Sequence, residues 1–225
     1  MKMKLINALL VGLALTATSL TSNAGLITVS DLTPTIDGAD IAMLNAIGQS
    51  DPGGNEGHIW SNRPAQGQSF ATGSNFAGYW LNSITLQNEE NSFGANNATF
   101  TLRIGSILGT TFSAFSTETN SNSGLAYVPN DYITFTFANS IFLNSNSLYG
   151  FEWDSNSKGF TTWANHNSNY SGGEAFSSYD GSNLIFRDVD RIFHADLTAV
   201  PEPSTLAIFA LGMIGLASRR FKKQS

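Results

Sequence analysis

Hydrophobic and polar residues alternate along several segments in the middle of the chain. In ATFTLRIG the apolar residues Phe100, Leu102 and Ile104 stand at every second position, and DYITFTFA repeats the pattern. A period of two places alternate side chains on opposite faces of a strand, so both segments predict half-buried antiparallel strands. The segments SITLQ, LYGFEWD and RIFHADL predict three more. In the last of these, His194 alternates with apolar neighbours, so we expect it on the exposed strand face.

Loops rich in Asn, Ser and Gly separate the predicted strands, and no long amphipathic helix is evident. Only Ile41 to Ile47 has a pattern that allows a helical turn or two. Many short strands with turn residues between them indicate an all-β domain. We predict an antiparallel two-sheet, jelly-roll-like sandwich, and a closed barrel is the alternative.

The N-terminus has the three parts of a secretory signal peptide. Lys2 and Lys4 precede the apolar stretch Leu5 to Ala17, and the small polar stretch Thr18 to Ala24 follows. A short membrane anchor or an N-terminal core helix is the alternative, but this stretch of 13 residues is short for about 30 Å of hydrocarbon. We therefore expect export, cleavage by signal peptidase, and a mature chain that begins near Gly25.

The chain divides into a signal peptide (1–24), one ectodomain (25–199) and a C-terminal signal (200–225). Residues 25–200 contain 16 acidic and five basic residues, a net charge of −11. Such a surface repels phosphate backbones, which argues against nucleic acid, and it also disfavours anionic lipid surfaces. Because the chain has no cysteine, disulfides and thiolate metal sites are excluded.

The C-terminus places a Pro-Glu-Pro tripeptide, an apolar stretch and a basic cluster in that order. Pro201-Glu202-Pro203 enforces extended backbone, and Ser204–Ser218 carries no charge. As a helix this stretch is about 22 Å long, which is short for a bilayer, and it predicts a short transmembrane helix. Positive charge stays on the cytoplasmic side, so the basic cluster would hold the domain outside. The cluster consists of Arg219, Arg220, Lys222 and Lys223.

This ordered trio of motif, short apolar span and basic end resembles the PEP-CTERM sorting signal of Gram-negative bacteria that make extracellular polysaccharide. The resemblance implies recognition by an exosortase, a transpeptidase-like membrane enzyme, and processing near Pro201-Glu202-Pro203. It further implies passage across the inner membrane, a transient anchor, and delivery to the cell surface or matrix. A plain tail anchor is the alternative. The segment from Asn62 to Asn75, NRPAQGQSFATGSN, resembles the opening of β-sandwich domains that stand before such signals, and it implies no activity.

One aromatic and polar segment is a candidate glycan-binding site. The stretch from Phe160 to Gly181 mixes aromatic rings with amides and hydroxyls. Aromatic faces stack on sugar rings while polar groups bond the hydroxyls, although aromatic residues also dominate cores. The alternative is that these aromatic residues pack the end of the sandwich. Exopolysaccharide is a candidate ligand only by association with a polysaccharide-rich surface. The candidate glycan-binding residues are Trp163, His166, Tyr170 and Tyr179.

Metal and catalytic chemistry are less well supported by the sequence. Asp180, Asp188 and Asp190, with Asp154, offer oxygen ligands for calcium, but no EF-hand spacing is present, and we expect solvated carboxylates and no required cofactor. No Gly-x-Ser-x-Gly motif occurs. A glycosidase needs two facing carboxylates, and the spacing of the available ones identifies no pair. These are Glu152 with Glu174, or Glu89 with Glu90.

We therefore expect a non-catalytic surface or matrix protein, structural or glycan-binding. A secreted carbohydrate-active enzyme is the alternative.

Overall fold

The computed structural model describes residues 25–44, 65–88, 99–121, 127–155, 162, 164–165, 170–178, 183–186, 189–202 and 208–209. These residues form two large antiparallel sheets and one two-stranded sheet. The predicted all-β, two-sheet architecture is confirmed. The jelly-roll connection stays a prediction.

The first large sheet has five strands, and the last strand that the structure describes lies inside it. In spatial order the strands are β1 (Leu26–Ser30), β7 (Tyr132–Leu143), β4 (Tyr79–Gln87), β13 (Phe193–Ala199) and β2 (Ile41–Met43). β13 therefore pairs with a neighbour on each side, β4 and β2. A register shift interrupts the β4–β13 pairing at Asp196/Leu197.

The second large sheet has six strands. In spatial order they are β11 (Ile185–Phe186), β10 (Ala175–Ser178), β3 (Ala65–Ala71), β8 (Leu148–Ser155), β5 (Thr99–Leu108) and β6 (Thr111–Ser121). The small sheet pairs β9 (Ala164–Asn165) with β12 (Asp190–Arg191). All five strands that the alternating pattern predicts are therefore present, as parts of β4, β5, β7, β8 and β13.

The main core lies between the inner faces of the two large sheets. Directly opposed residues share a face, and Phe193, Leu86 and Ile133 are opposed on β13, β4 and β7. The six-stranded sheet contributes buried aromatic residues of its own. The ring centroid of Phe151 lies 5.9 Å from that of Trp153 on the same strand and 5.5 Å from that of Phe193 on the facing sheet. The period-two pattern arises because each of these strands buries one face in this core.

A smaller cluster covers the outer face of the six-stranded sheet. Gly67, Gly105 and Gly150 lie on the neighbouring strands β3, β5 and β8, and Gly105 is directly opposite Gly150. The rings of Phe112 and Phe176 occupy the space that side chains would fill at these glycines. The glycines therefore allow aromatic rings to lie directly on the sheet backbone.

The prediction of helical turns from Ile41 to Ile47 is wrong for the part that the structure describes. Ile41–Met43 is strand β2, and its residues pair with Phe193 to Ala195. Ile41 and Met43 both pack on the main core, so the pairing with β13 decides the backbone conformation. Residues 45–47 lie outside the described ranges.

The predicted signal peptide lies outside the described residues, and so does the predicted C-terminal helix apart from Ile208 and Phe209. Across the ranges that are described, no helix is both long and apolar enough to cross a membrane.

Candidate functional site

The chain leaves the domain at a point held by hydrogen bonds. Strand β13 ends at Ala199, and the Val200 N–H donates to the carbonyl oxygen of Gly78 (3.0 Å). The side-chain amide of Asn75 donates to the carbonyl oxygens of Val200 (2.9 Å) and Gly78 (2.7 Å). We call these three residues, Asn75, Gly78 and Val200, the exit clamp.

The turn that carries the exit clamp requires glycine. Gly78 has a φ of 87°, which disfavours other residues. A Cβ at Gly78 would also approach the Leu143 carbonyl oxygen to 2.7 Å. The Gly78 N–H donates to the Asn75 carbonyl oxygen (2.9 Å), and the Asn75 N–H donates to the Tyr79 hydroxyl (2.9 Å). The turn is therefore fixed independently of the tail that it holds.

The residues after the clamp are presented to solvent. Pro201 and Glu202 are exposed and belong to neither helix nor strand. No linker separates Pro201 from β13, since only Val200 lies between them. Pro203 and the basic cluster of Arg219, Arg220, Lys222 and Lys223 lie outside the described residues.

Residues 199–223 match the PEP-CTERM protein-sorting motif. The chain carries a PEP-CTERM sorting signal. The PEP-CTERM signal implies export, processing by an exosortase and sorting to the cell envelope. The match begins at Ala199, the last residue of β13. No curated protein and no solved structure shows significant similarity to the chain.

Of the candidate glycan-binding residues, the structure describes only Tyr170. Its ring packs edge-to-face against Phe193 at 5.5 Å, and its hydroxyl accepts a hydrogen bond from the Ala71 N–H (3.4 Å). Burial raises the pKa of Tyr170 to about 12. Tyr170 therefore borders the main core. Trp163, His166 and Tyr179 lie outside the described residues, and the site that they would form stays a prediction.

Of the two candidate calcium ligands that the structure describes, Asp190 differs more from the expectation of a solvated carboxylate. Asp190 is fully buried, and its two carboxylate oxygens accept hydrogen bonds from the Gln68 side chain (3.0 Å) and the Tyr170 N–H (3.2 Å). Asp154 is half-buried, whereas Asp180 and Asp188 lie outside the described residues. Among the residues that the structure describes, no group of three or more potential ligands could hold a metal ion.

Asp190 belongs to a buried polar cluster that the sequence analysis missed. Gln66 and Gln68 on β3 lie on the core side of their sheet, opposite Trp153 and Phe151. The Gln68 side chain accepts from the Arg191 N–H (2.8 Å), and the Arg191 guanidinium donates to Gln66 (2.8 Å). These bonds connect β3 to β12. The sequence did contain a signal for this burial. Gln66, Gln68 and the buried Phe70 occupy every second position of β3, so their side chains lie on the same face of the strand.

The prediction that His194 is exposed is wrong, although the predicted face is correct. His194 is on the outer face of the five-stranded sheet but is only 6% exposed, because Asp40 closes over it. Nε2 of His194 lies 2.9 Å from Oδ2 of Asp40, and Oδ1 of Asp40 accepts from the Leu197 N–H (2.8 Å). Burial acts to raise the pKa of Asp40, but hydrogen bonds from Asp37, Leu197 and His194 outweigh it and lower the pKa. The pair fastens the segment before β2 to the sheet.

The carboxylates considered as a glycosidase pair have separate partners where the structure describes them. Glu152 is buried on the outer face of the six-stranded sheet, where the Arg103 guanidinium lies 2.9 Å from its carboxylate. Burial raises the pKa of Glu152, and the opposing effect of Arg103 is smaller. Glu174 is exposed, and its backbone N–H donates to the Ser69 hydroxyl (2.7 Å). Glu89 and Glu90 lie outside the described residues.

Proposed function

We propose that this chain is a non-catalytic cell-surface or matrix protein of a Gram-negative bacterium. The exit clamp is the observation that carries the proposal. It fixes Val200 and leaves Pro201 and Glu202 exposed and outside any helix or strand. The flanking prolines favour extended backbone there, and a protease substrate must be exposed and extended. The PEP-CTERM signal therefore starts at a defined edge of a folded domain.

The rest of the signal supplies a transient anchor in this proposal. Ser204–Ser218 enters the inner membrane, and the basic cluster after it stays on the cytoplasmic side. The domain is held outside until the exosortase cuts near Pro201-Glu202-Pro203. Cleavage there removes the anchor and leaves the β-sandwich intact, because β13 is complete before Pro201.

The described titratable groups support a non-catalytic role. The carboxylates of Asp40, Glu152 and Asp190 each contact a donor that holds a strand or loop in place. A catalytic group has to be within hydrogen-bonding reach of a substrate. These buried carboxylates instead have structural partners on neighbouring strands and loops.

Sorting is tested by mass spectrometry of the protein recovered from the cell surface. We expect a form that starts near Gly25 and lacks the apolar tail. Replacement of Pro201-Glu202-Pro203 by alanine should leave the protein exported, membrane-retained and unprocessed. Replacement of Arg219, Arg220, Lys222 and Lys223 by neutral residues should weaken the stop and release the protein without normal sorting. A surface form of the native chain with an intact C-terminus at Ser225 would refute the proposal.

Glycan binding is the more specific role that we propose for the domain, through Trp163, His166 and Tyr179. Its support is the residue chemistry of that segment and the sorting of the chain to the envelope. Incubation of the processed protein with the producer's own exopolysaccharide tests it. A binding protein retains the polysaccharide at unchanged chain length, whereas a carbohydrate-active enzyme releases new reducing ends.

Trp163→Ala should weaken that retention while leaving the melting temperature nearly unchanged, since one stacking aromatic contributes about 1 kcal/mol. Phe115→Ala is the matched control, because Phe115 is an exposed aromatic residue on the edge strand β6 and belongs to no proposed binding surface. Equal retention by both variants would remove Trp163 from the site. A large loss of stability in Trp163→Ala would place that residue in the core.

A further inference from the structure

One end of the sandwich gathers the turns that surround the tail. Strand β13 ends there, and Ala199 is directly opposite Tyr79, the first residue of β4. Tyr79 is in turn opposite Leu143, the last residue of β7. The turns at 72–78, 109–110 and 144–147 lie at this end, because β3 and β5 run towards it and β8 runs away from it. We call it the exit end.

The exit end exposes large apolar side chains on all of these turns or beside them. Phe76, at the tip of the exit-clamp turn, is 85% exposed, and Leu108, at the β5–β6 turn, is 86% exposed. Trp80 and Phe142 form an exposed edge-to-face pair with ring centroids 5.3 Å apart. We define the exit-end patch by these five exposed residues: Phe76, Trp80, Leu108, Phe142 and Leu148.

The tail brings this patch close to the bilayer. The exit clamp fixes Val200 to the same turn that carries Phe76. Only four residues lead from Val200 to Ser204, where the apolar segment begins, and extended chain spans at most about 14 Å over that distance. While the tail is anchored, the exit end therefore cannot move away from the membrane surface by more than a few side-chain lengths.

The chemistry of the patch suits the interfacial zone of a bilayer. Tryptophan and other aromatic rings favour the headgroup level, where one edge meets apolar chains and the other meets water. The two described basic residues of the sandwich are elsewhere, since Arg103 pairs with Glu152 and Arg191 is buried. The contact would therefore depend on apolar burial in zwitterionic lipid rather than on attraction to anionic headgroups.

We propose that the exit-end patch rests in the lipid interface while the chain is anchored and so holds the Pro-Glu-Pro motif at the membrane surface. This inference rests on the proposed function, because it needs the tail in the membrane. Without such a contact the domain would be free to tilt about the residues that follow Val200. With it, the domain has one orientation and the motif has one height above the bilayer.

The test uses spin labels on the full chain, whose lack of cysteine allows single labelled sites. Leu108→Cys, Phe76→Cys and Val128→Cys are reconstituted in phosphatidylcholine and phosphatidylethanolamine vesicles without exosortase. Val128 is the matched control, because it is 61% exposed but lies at the opposite end, next to the start of β7. Ala210→Cys, in the apolar segment, reports whether the tail is inserted.

We expect the labels at Leu108 and Phe76 to collide more with lipid-soluble oxygen than with a water-soluble nickel complex. The label at Val128 should show the opposite preference. Water-like labels at Leu108 and Phe76, with an inserted label at Ala210, would overturn the inference and leave the proposed function intact. A water-like label at Ala210 would overturn both.

A functional readout separates lipid from other occupants of the patch. The double variant F76S/L108S should fold normally, because both side chains are exposed, and it should slow tail removal in cells several-fold. Labels that become immobile only when exosortase or exopolysaccharide is added, and stay water-like in plain vesicles, would assign the patch to that partner and refute the lipid contact.

Discussion

Removal of the Asn75 side-chain amide should destabilise the domain and release the start of the tail. In Asn75→Ala, the carbonyl oxygens of Gly78 and Val200 each lose a donor, at 2.7 and 2.9 Å. A hydrogen bond of this kind contributes about 1 kcal/mol net, so the two together contribute about 2 kcal/mol. For a domain of this size the melting temperature should fall by about 4–8 °C.

Two measurements on the exported domain check this expectation. Thermal unfolding followed by circular dichroism gives the change in stability, and hydrogen exchange at the Val200 amide gives the local opening. Asn144→Ala is the matched control, because Asn144 is an exposed asparagine at the same end of the sandwich. If Asn75→Ala and Asn144→Ala have the same melting temperature and hydrogen exchange at Val200 is unchanged, the clamp does not hold the tail.

Three further outcomes follow from the packing and the buried charges. Gly67→Ala should destabilise the domain by about 1–3 kcal/mol in chemical denaturation, because the added Cβ would overlap the Phe176 ring and approach the Phe151 carbonyl oxygen to 2.5 Å; wild-type stability would contradict the glycine packing. Asp40→Asn should lower the melting temperature at pH 7, and the difference from wild type should shrink as the pH falls below 3.8. Because the pKa of Asp40 is lowered in the folded state, the charged carboxylate stabilises the fold above pH 3.8, and this stabilisation is lost as the carboxylate is protonated in acid. A constant difference from pH 7 to pH 3 would count against this. Calcium and a chelator should give superimposable melting curves, since both oxygens of Asp190 already accept protein hydrogen bonds, and a rise with calcium would show an occupied site.

The strands that bury one face were predictable from the sequence, because apolar residues occupy the alternate positions whose side chains are buried. Phe100, Leu102 and Ile104 show this on β5. Strand β3 was not predicted, because Gln66 and Gln68 occupy two of its inward positions and give the segment the composition of a polar loop. Strand β6 was not predicted, because it is an edge strand that exposes most of its residues and its sequence therefore lacks a regular apolar face.

The polar contacts were not predictable, because they join residues far apart in the chain. Asp40 meets His194 across 154 positions, and Gln68 meets Asp190 across 122. Nothing local distinguishes a carboxylate that a distant strand will cover from one that stays in solvent. The sorting signal was predictable for the opposite reason, since all its parts are contiguous and have to be read by an enzyme from the chain itself.

The position of β13 inside its sheet has a mechanical consequence. In the proposed anchored state the chain is tethered just beyond the end of this strand, and β13 has β4 on one side and β2 on the other. A force transmitted through the tether acts along β13, so it loads the hydrogen bonds to β4 in parallel, as shear, instead of opening them one after another. An edge strand pulled sideways from its sheet would unzip at a much lower force. In the proposed anchored state, before the tail is removed, the domain is thus held at the membrane by a strand that resists extraction from its sheet.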